Sequence, residues 1–206
     1  MKTKKVGKWL TKPDLTFNLE QFGKTDNVLF ITGLYGAGKS FTAENLAHQY
    51  QATHLRQDWL TWSHEYNSPE SRFFVQLFQQ KFPETRAYFA NKAWGQVSHA
   101  AMQQYRHNYD LMMLEYAQTH PEQLFIYEGS EIFKSLASLD FLPGRPLIIK
   151  RTSVRKSFLN LKRRDRGKIG LKDSLALWRQ YRDYYLKNYR VLNRFIEAMT
   201  IKKATV

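Results

Sequence analysis

Short apolar runs separated by helical segments dominate the chain. Residues 27–32 read NVLFIT, residues 123–127 read QLFIY and residues 145–151 read RPLIIKR. Consecutive apolar positions are typical of strands buried on both faces of a parallel sheet. Two weaker patterns, LTFNLEQF at 15–22 and ATHLRQD at 52–58, predict an edge strand and a short second core strand.

Apolar residues at three-, four- and seven-residue steps predict helices in the rest of the chain. The first helix starts near Ser40, the segment 58–119 is largely helical, and a basic helix covers residues 154–165. A last helix covers residues 174–199 and has an apolar stripe on one side. The expected packing positions of the first helix are Phe41, Leu46 and Ala47, and those of the last are Leu175, Trp178, Tyr181, Tyr185, Leu192, Ile196 and Met199.

Strands that alternate with helices predict an α/β fold with a mostly parallel sheet and right-handed crossovers. We expect one domain over residues 1–206, whose framework comprises residues 27–60 and 123–168. Residues 61–120 form a helical insertion between the second and third core strands, and residues 172–199 a C-terminal helix. The loops at the carboxyl ends of the strands should form the functional site.

Composition narrows the class of protein. The 206 residues include no cysteine, which excludes a disulfide framework and a thiolate zinc site and suits a reducing cytoplasm. No apolar run approaches the ~20 residues that span a bilayer. The first residues, MKTKKVGKWLTKPD, lack the apolar segment of a signal peptide. We therefore expect a cytoplasmic protein that does not bind membranes.

The net charge of +14 is unevenly distributed. Residues 1–144 hold 14 Lys and Arg against 14 Asp and Glu, whereas residues 145–206 hold 18 against 4. Such a block is either a solvated surface or a surface for a polyanion. Nucleic acid is accordingly one candidate partner.

Residues 33–40, GLYGAGKS, form the most specific motif. They match G-x-x-x-x-G-K-[ST], with a predicted strand before them and a predicted helix after them. Backbone N–H groups of such a loop surround a phosphate, and the helix dipole adds positive potential. In a loop of this kind we expect Lys39 to reach the β- and γ-phosphates of a nucleotide and Ser40 to bind Mg²⁺. The predicted nucleotide-binding residues are Gly33, Leu34, Tyr35, Gly36, Ala37, Gly38, Lys39, Ser40 and Phe41.

This strand, loop and helix resemble the Walker A region of P-loop nucleoside triphosphatases. Within that superfamily the chain is most similar to small-molecule and nucleotide kinases. The resemblance implies a three-layer P-loop sandwich, ATP and Mg²⁺ as cofactors, and phosphoryl transfer as the reaction. No N-K-x-D-like motif follows the core strands, so ATP is expected rather than GTP.

Two carboxylates at strand ends extend the resemblance. QLFIYEGSEIF looks like a Walker B strand, in which Glu128 would orient Mg²⁺ or position the attacking group. Many family members have Asp there, which leaves the role of Glu128 open, and the alternative is a surface carboxylate beside a turn. Asp58 follows the second strand, where related kinases place a general base. The alternative for Asp58 is a helix cap.

A basic segment, IIKRTSVRKSFLNLKRRDRGK, follows the last core strand and looks like the lid of such kinases. Arginine suits a lid because its planar fork binds two phosphate oxygens at once. Arg155 and Arg163 are the predicted catalytic residues of this lid. Further candidates are Arg151, Lys162, Arg164 and Arg166.

The first functional hypothesis is therefore an ATP-dependent phosphotransferase whose acceptor is a small molecule or nucleotide. The second is a nucleotide-dependent ATPase that binds nucleic acid, and a polynucleotide-end kinase would combine the two. Neither the acceptor nor the oligomeric state follows from the residues. Four aromatic residues are candidates either for stacking on an acceptor or for core packing: Trp59, Trp62, Tyr66 and Trp94.

Overall fold

Five strands form one mostly parallel sheet in the computed structural model, which describes residues 13–62, 68–90, 96–135, 144–164 and 171–204. The strand order is β1-β5-β2-β4-β3. All neighbours are parallel except β1 and β5, which pair antiparallel at one edge. The strands are β1 (Leu15–Phe17), β2 (Val28–Gly33), β3 (Thr53–Arg56), β4 (Phe125–Gly129) and β5 (Leu147–Lys150).

Helices connect the parallel strands. Those between β3 and β4 lie where the helical insertion was expected, and Ser68 and Ser98 cap the two longer ones by accepting backbone hydrogen bonds at 3.1 and 3.2 Å. The helices are α1 (Lys39–Tyr50), α2 (Trp59–Trp62), α3 (Pro69–Lys81), α4 (Arg86–Ala90), α5 (His99–Thr119), α6 (Ile132–Ser135), α7 (Val154–Arg164) and α8 (Leu171–Ala204).

The sheet is buried on both faces, as the consecutive apolar positions of its strands predict. Leu29 and Ile31 of β2 pack on one face with Ala43 of α1. Phe30, between them in sequence, belongs to the larger cluster on the other face, which includes residues of α3, α5 and α8. The mixed α/β fold with a mostly parallel sheet is thus confirmed.

Two sequence expectations about packing have different outcomes. Phe41 was expected to pack, but it is 71% exposed, because α1 turns this first-turn position away from the sheet. In α8, by contrast, Tyr185, Leu192 and Met199 are buried in the core, as the apolar stripe predicts. Among the expected aromatic residues, Trp59 is a core residue. The side chain of Trp62, and Tyr66 and Trp94, lie outside the described residues.

No helix in the described parts of the chain is long and apolar enough to cross a membrane.

A buried polar network attaches α5 to the sheet. Asp110, which is fully buried, accepts hydrogen bonds from the Gln57 amide at 3.0 and 3.1 Å and from the Tyr127 hydroxyl. Gln57 also accepts a bond from the Glu131 backbone N–H at 3.1 Å and donates its own N–H to the Glu128 carbonyl at 2.9 Å. The network therefore joins α5 to the carboxyl ends of β3 and β4.

We predict that Asp110→Ala lowers the free energy of unfolding by about 3 kcal/mol, because it leaves the Gln57 amide and the Tyr127 hydroxyl buried without this acceptor. Urea unfolding followed by circular dichroism measures the change. The matched control is Asp183→Ala, which removes an exposed carboxylate paired with Arg182 and should cost less than about 0.5 kcal/mol. Equal losses in the two variants would contradict a structural role for the network.

Candidate functional site

The glycine-rich loop connects the end of β2 to the start of α1, and its three glycines, Gly33, Gly36 and Gly38, all adopt positive φ. A side chain at Gly36 (φ 72°) would lie 2.7 Å from the Ser157 carbonyl oxygen and 2.8 Å from its hydroxyl. Gly38 (φ 86°) caps α1, and a side chain there would meet no described atom within 4 Å. Gly36 is therefore required by close packing as well as by backbone conformation, and Gly38 by conformation alone.

The C-terminal helices bind the outer side of this loop. The Tyr35 carbonyl accepts hydrogen bonds from Ser157 of α7 and, at 3.0 Å, from the Tyr181 hydroxyl of α8. The Gly36 carbonyl accepts a bond from the Asn160 amide at 2.9 Å. Because the C=O and N–H of a trans peptide unit point in opposite directions, the N–H that follows Tyr35 points away from these helices.

Lys39, the first residue of α1, folds back over the loop. Its side chain is buried, with the residue only 7% exposed, and its ammonium group donates a hydrogen bond to the Leu34 carbonyl at 3.2 Å. A lysine held in this way brings a positive charge to the loop at the point where α1 starts. The positive end of the helix dipole reinforces that charge.

Parallel register brings three polar side chains together at the carboxyl end of the sheet. Glu128 of β4 is in register with Arg56 of β3 and with Ile31 of β2, whose strand leads into the loop. The Glu128 Oε1 atom accepts a hydrogen bond from Ser40 Oγ at 2.9 Å and lies 3.0 Å from Arg56 Nε. Arg56 Nη2 also donates to Ser40 Oγ at 3.0 Å. Glu128 is only 2% exposed. A carboxylate buried to this extent is costly unless a cation compensates it, and Arg56 is that cation.

Asp58 lies beside this cluster at the end of the β3 segment. Burial, and after it the charge of Glu128, raises the pKa of the Asp58 carboxyl above its ordinary value. The opposing influence of three cations, Lys39, Arg56 and Arg106, does not reverse the shift. A carboxylate with a raised pKa is better suited to accept a proton near neutral pH than an exposed one.

These residues surround a cavity of about 400 Å³. The cavity is lined by residues of the loop, of α1 and α7, and of the segments at the ends of β3 and β4. The lining residues are Tyr35, Gly36, Gly38, Lys39, Ser40, Phe41, Arg56, Asp58, Glu128, Ser130 and Asn160.

Most of the predicted site residues therefore meet at one place, but the predicted loop residues Gly33, Leu34 and Ala37 do not line the cavity, and neither do the predicted lid arginines. Arg155 and Arg163 are exposed and do not line the cavity. Arg155 lies about 160° around α7 from Ser157, the residue that contacts the loop, so its side of the helix faces away. Arg163 is closer, three residues after Asn160. The side chains of Lys162 and Arg164, and Arg166, lie outside the described residues.

Sequence reasoning missed Arg56 and Asn160. Arg56 precedes Asp58 by two residues, and its partner Glu128 is 72 positions away, so only strand register connects the two. Asn160 is a neutral residue within the basic segment, in which the phosphate ligands were predicted from charge alone. No local signal separates either residue from its neighbours.

The donor atoms at Ser40 and Glu128 fit a magnesium ion. Mg²⁺ prefers oxygen ligands, and it commonly takes one or two from protein and the rest from water and substrate phosphates. A hydroxyl oxygen and a carboxylate oxygen 2.9 Å apart match that pattern. The described residues contain no group of three His, Cys, Asp or Glu side chains that could hold an all-protein metal site.

Comparison with known proteins adds little to this geometry. No protein family profile and no curated protein matches the chain. The solved structures that match it include TT1252 from Thermus thermophilus, with 17% identity, a TM-score of 0.41, and coverage of 72% of this chain and 76% of that one. A likeness this distant carries no argument about fold or function.

His54 lies on β3 beside the cluster, with Nε2 3.8 Å from Glu128 Oε1. Burial, and after it the charge of Arg56, lowers the pKa of His54 from its ordinary 6.5 to about 4. Between about pH 4 and pH 6.5, His54 binds a proton in the unfolded chain but not in the folded chain. The stability conferred by neutral His54 is therefore complete above about pH 6.5 and is lost as the pH falls towards 4.

We predict that the free energy of unfolding of the wild-type chain falls when the pH is lowered from about 7 to about 5. In the His54→Gln variant the same change of pH should lower the free energy of unfolding by about 2 kcal/mol less. Urea unfolding of both proteins at the two pH values measures the difference. Asp58 and Glu131 titrate in both proteins, so their contributions cancel. Identical pH dependence in the two proteins would show that His54 is not buried as a neutral ring.

Proposed function

We propose that this chain is an ATP-dependent phosphotransferase with a P-loop kinase fold, in which helices α2–α5 form the acceptor-side insertion. One observation carries the proposal: Lys39, Ser40 and Glu128 line a single cavity at the end of the glycine-rich loop. A phosphate-binding loop, a buried lysine and a hydroxyl–carboxylate pair are the parts that phosphoryl transfer from a nucleotide requires.

The loop and α1 would bind the phosphates of ATP. The backbone N–H groups of the loop and the start of α1 present positive potential to an anion. Lys39 is already held at the loop by Leu34, so little rearrangement separates its ammonium group from a phosphate in the cavity. Phe41 is exposed at the mouth of the same cavity, where its ring can cover part of the nucleotide.

Ser40 and Glu128 would hold Mg²⁺. When bound, Mg²⁺ neutralises charge on the transferring phosphoryl group. The hydrogen bond between Ser40 and Glu128 fixes the two oxygens relative to each other, and the register of β4 with β2 fixes both relative to the loop.

Asp58 would accept the proton of the acceptor. As an acceptor hydroxyl oxygen forms its bond to the γ-phosphorus, the bond to the bridging oxygen breaks and ADP leaves. The hydroxyl proton passes to a carboxylate oxygen of Asp58, whose raised pKa favours this step. Arg163, one turn beyond the loop-binding Asn160, is better placed than Arg155 to close over the phosphates.

A second candidate function, a nucleic-acid-binding ATPase, is favoured by the surface of α8. The exposed side of this helix carries basic side chains within an arc of about 140°. Such a stripe suits a polyanion and would act independently of the cavity. The exposed basic residues are Arg179, Arg182, Lys187, Arg190 and Arg194.

We predict that the wild-type chain transfers labelled γ-phosphate from ATP–Mg²⁺ to an acceptor. The Lys39→Ala variant should transfer at least a hundredfold more slowly, which is on the order of the effect of removing one group that stabilises charge in a transition state. The acceptors are tested as pools of nucleosides and their monophosphates, sugars, aminoglycosides and 5′-hydroxyl oligonucleotides. Lys24→Ala, which removes an exposed lysine between β1 and β2 that does not line the cavity, is the matched control and should retain full transfer.

Full turnover by Lys39→Ala would contradict the assignment of the phosphate loop. Release of free phosphate without transfer, together with oligonucleotide binding that weakens steeply with salt, would favour the nucleic-acid-binding ATPase instead.

We also predict that Asp58→Asn lowers phosphoryl transfer by about a hundredfold or more while ATP affinity changes less than about threefold, because the side chain serves the acceptor hydroxyl and not the nucleotide. Single-turnover transfer and calorimetric ATP binding measure the two quantities. Parallel losses in both would remove Asp58 from the acceptor side of the site.

A further inference from the structure

Arg56 competes directly with any cation that binds the Ser40–Glu128 pair. Its guanidinium contacts both side chains, at 3.0 Å from Glu128 Oε1 and 3.0 Å from Ser40 Oγ. The hydrogen bond from Ser40 uses the same carboxylate oxygen. A metal ion coordinated by Ser40 Oγ and Glu128 Oε1 would be repelled by the guanidinium that contacts the same two atoms, so metal binding there favours movement of Arg56 away from them.

The displaced guanidinium has little freedom to leave the site. Arg56 is anchored at the end of β3, in register with Glu128, and its side chain is only 18% exposed. Arg56 also lines the cavity that contains the phosphate loop, together with Lys39 and Asp58. A guanidinium confined in this way is stabilised by an anion in the cavity, and a bound phosphate would supply one in addition to the Asp58 carboxyl group.

We propose that Arg56 exchanges Glu128 for the terminal phosphate of a bound nucleoside triphosphate, and so acts as a phosphate-binding residue that senses the γ-phosphate. This inference rests on the proposed nucleotide-binding function. Arg56 and Asp58 belong to the same strand end, so the guanidinium approaches from the acceptor side, where the terminal phosphate lies. Its planar fork binds two phosphate oxygens, as it now binds Ser40 and Glu128.

The proposal predicts that the loss of Arg56 affects the binding of ATP and the binding of ADP differently. With Mg²⁺ present, Arg56→Ala should weaken binding of an ATP analogue with a non-transferable γ-phosphate by at least about tenfold, the effect of losing a charge-assisted hydrogen bond. ADP lacks the phosphate that Arg56 binds, so its affinity should change less than about threefold. Isothermal titration calorimetry measures both affinities. Arg72→Ala, which removes an exposed arginine of α3, should alter neither.

If Arg56 serves only to hold Glu128 in place, Arg56→Ala should lower the affinities for both nucleotides equally. An equal loss, or no change in either affinity, would overturn the proposal. If Arg56→Ala does not fold, Arg56→Lys keeps the charge beside Glu128 but lacks the fork, and the same selective loss of ATP-analogue affinity is expected. Equal loss of both nucleotides in Arg56→Lys would likewise overturn the proposal. A folded wild-type chain that binds neither nucleotide would instead refute the nucleotide-binding function, and this inference with it.

Discussion

The ion pair between Glu128 and Arg56 is the interaction on which the candidate site depends. A carboxylate that is 2% exposed is costly to bury unless a positive group and hydrogen-bond donors compensate it, and here Arg56 and Ser40 do so. The pair joins β3 to β4, and the bond from Ser40 joins both to α1. The ends of three structural elements are thus fixed within hydrogen-bonding distance of one carboxylate oxygen.

The C-terminal helices combine two surfaces of opposite character. On the inner side, Ser157, Asn160 and Tyr181 bind the carbonyl groups of the glycine-rich loop, and Tyr185 is buried in the core. On the outer side, α8 carries an exposed basic stripe. The exposed basic side chains described on α8 therefore belong to the outer surface, whereas neutral hydrogen-bonding groups contact the loop. Charge and loop contact, which the sequence places in one segment, are separated by helix geometry.

The segment between β3 and β4 is connected to the site by buried polar groups and not by packing alone. Asp110 of α5 holds Gln57, and Gln57 in turn bonds to the backbone of Glu128 and Glu131. Glu131 forms ion pairs with Arg106 of α5 and with Lys134. Burial alone would raise the pKa of Glu131, but these two cations outweigh it and lower that pKa. Buried hydrogen bonds and ion pairs therefore link α5 to the strand ends that carry Asp58 and Glu128.

The sequence by itself determined those features whose signal is local. Consecutive apolar residues defined the core strands, and the mixed α/β fold follows from their alternation with helices. The contiguous motif at residues 33–40 identified the loop, and the ends of predicted strands identified Asp58 and Glu128, which the structure brings to the same cavity.

Tertiary structure alone decided what depends on register and on helix rotation. Arg56 and Glu128 are 72 residues apart, and they meet only because β3 and β4 pair with those two residues opposite each other. In α7 the residues that face the loop are Ser157 and Asn160, whereas Arg155 lies on the far side. The sequence pointed to Arg155 and Arg163 by their charge, but the direction of each side chain is set by how the helix packs against the loop and α8, which composition does not reveal.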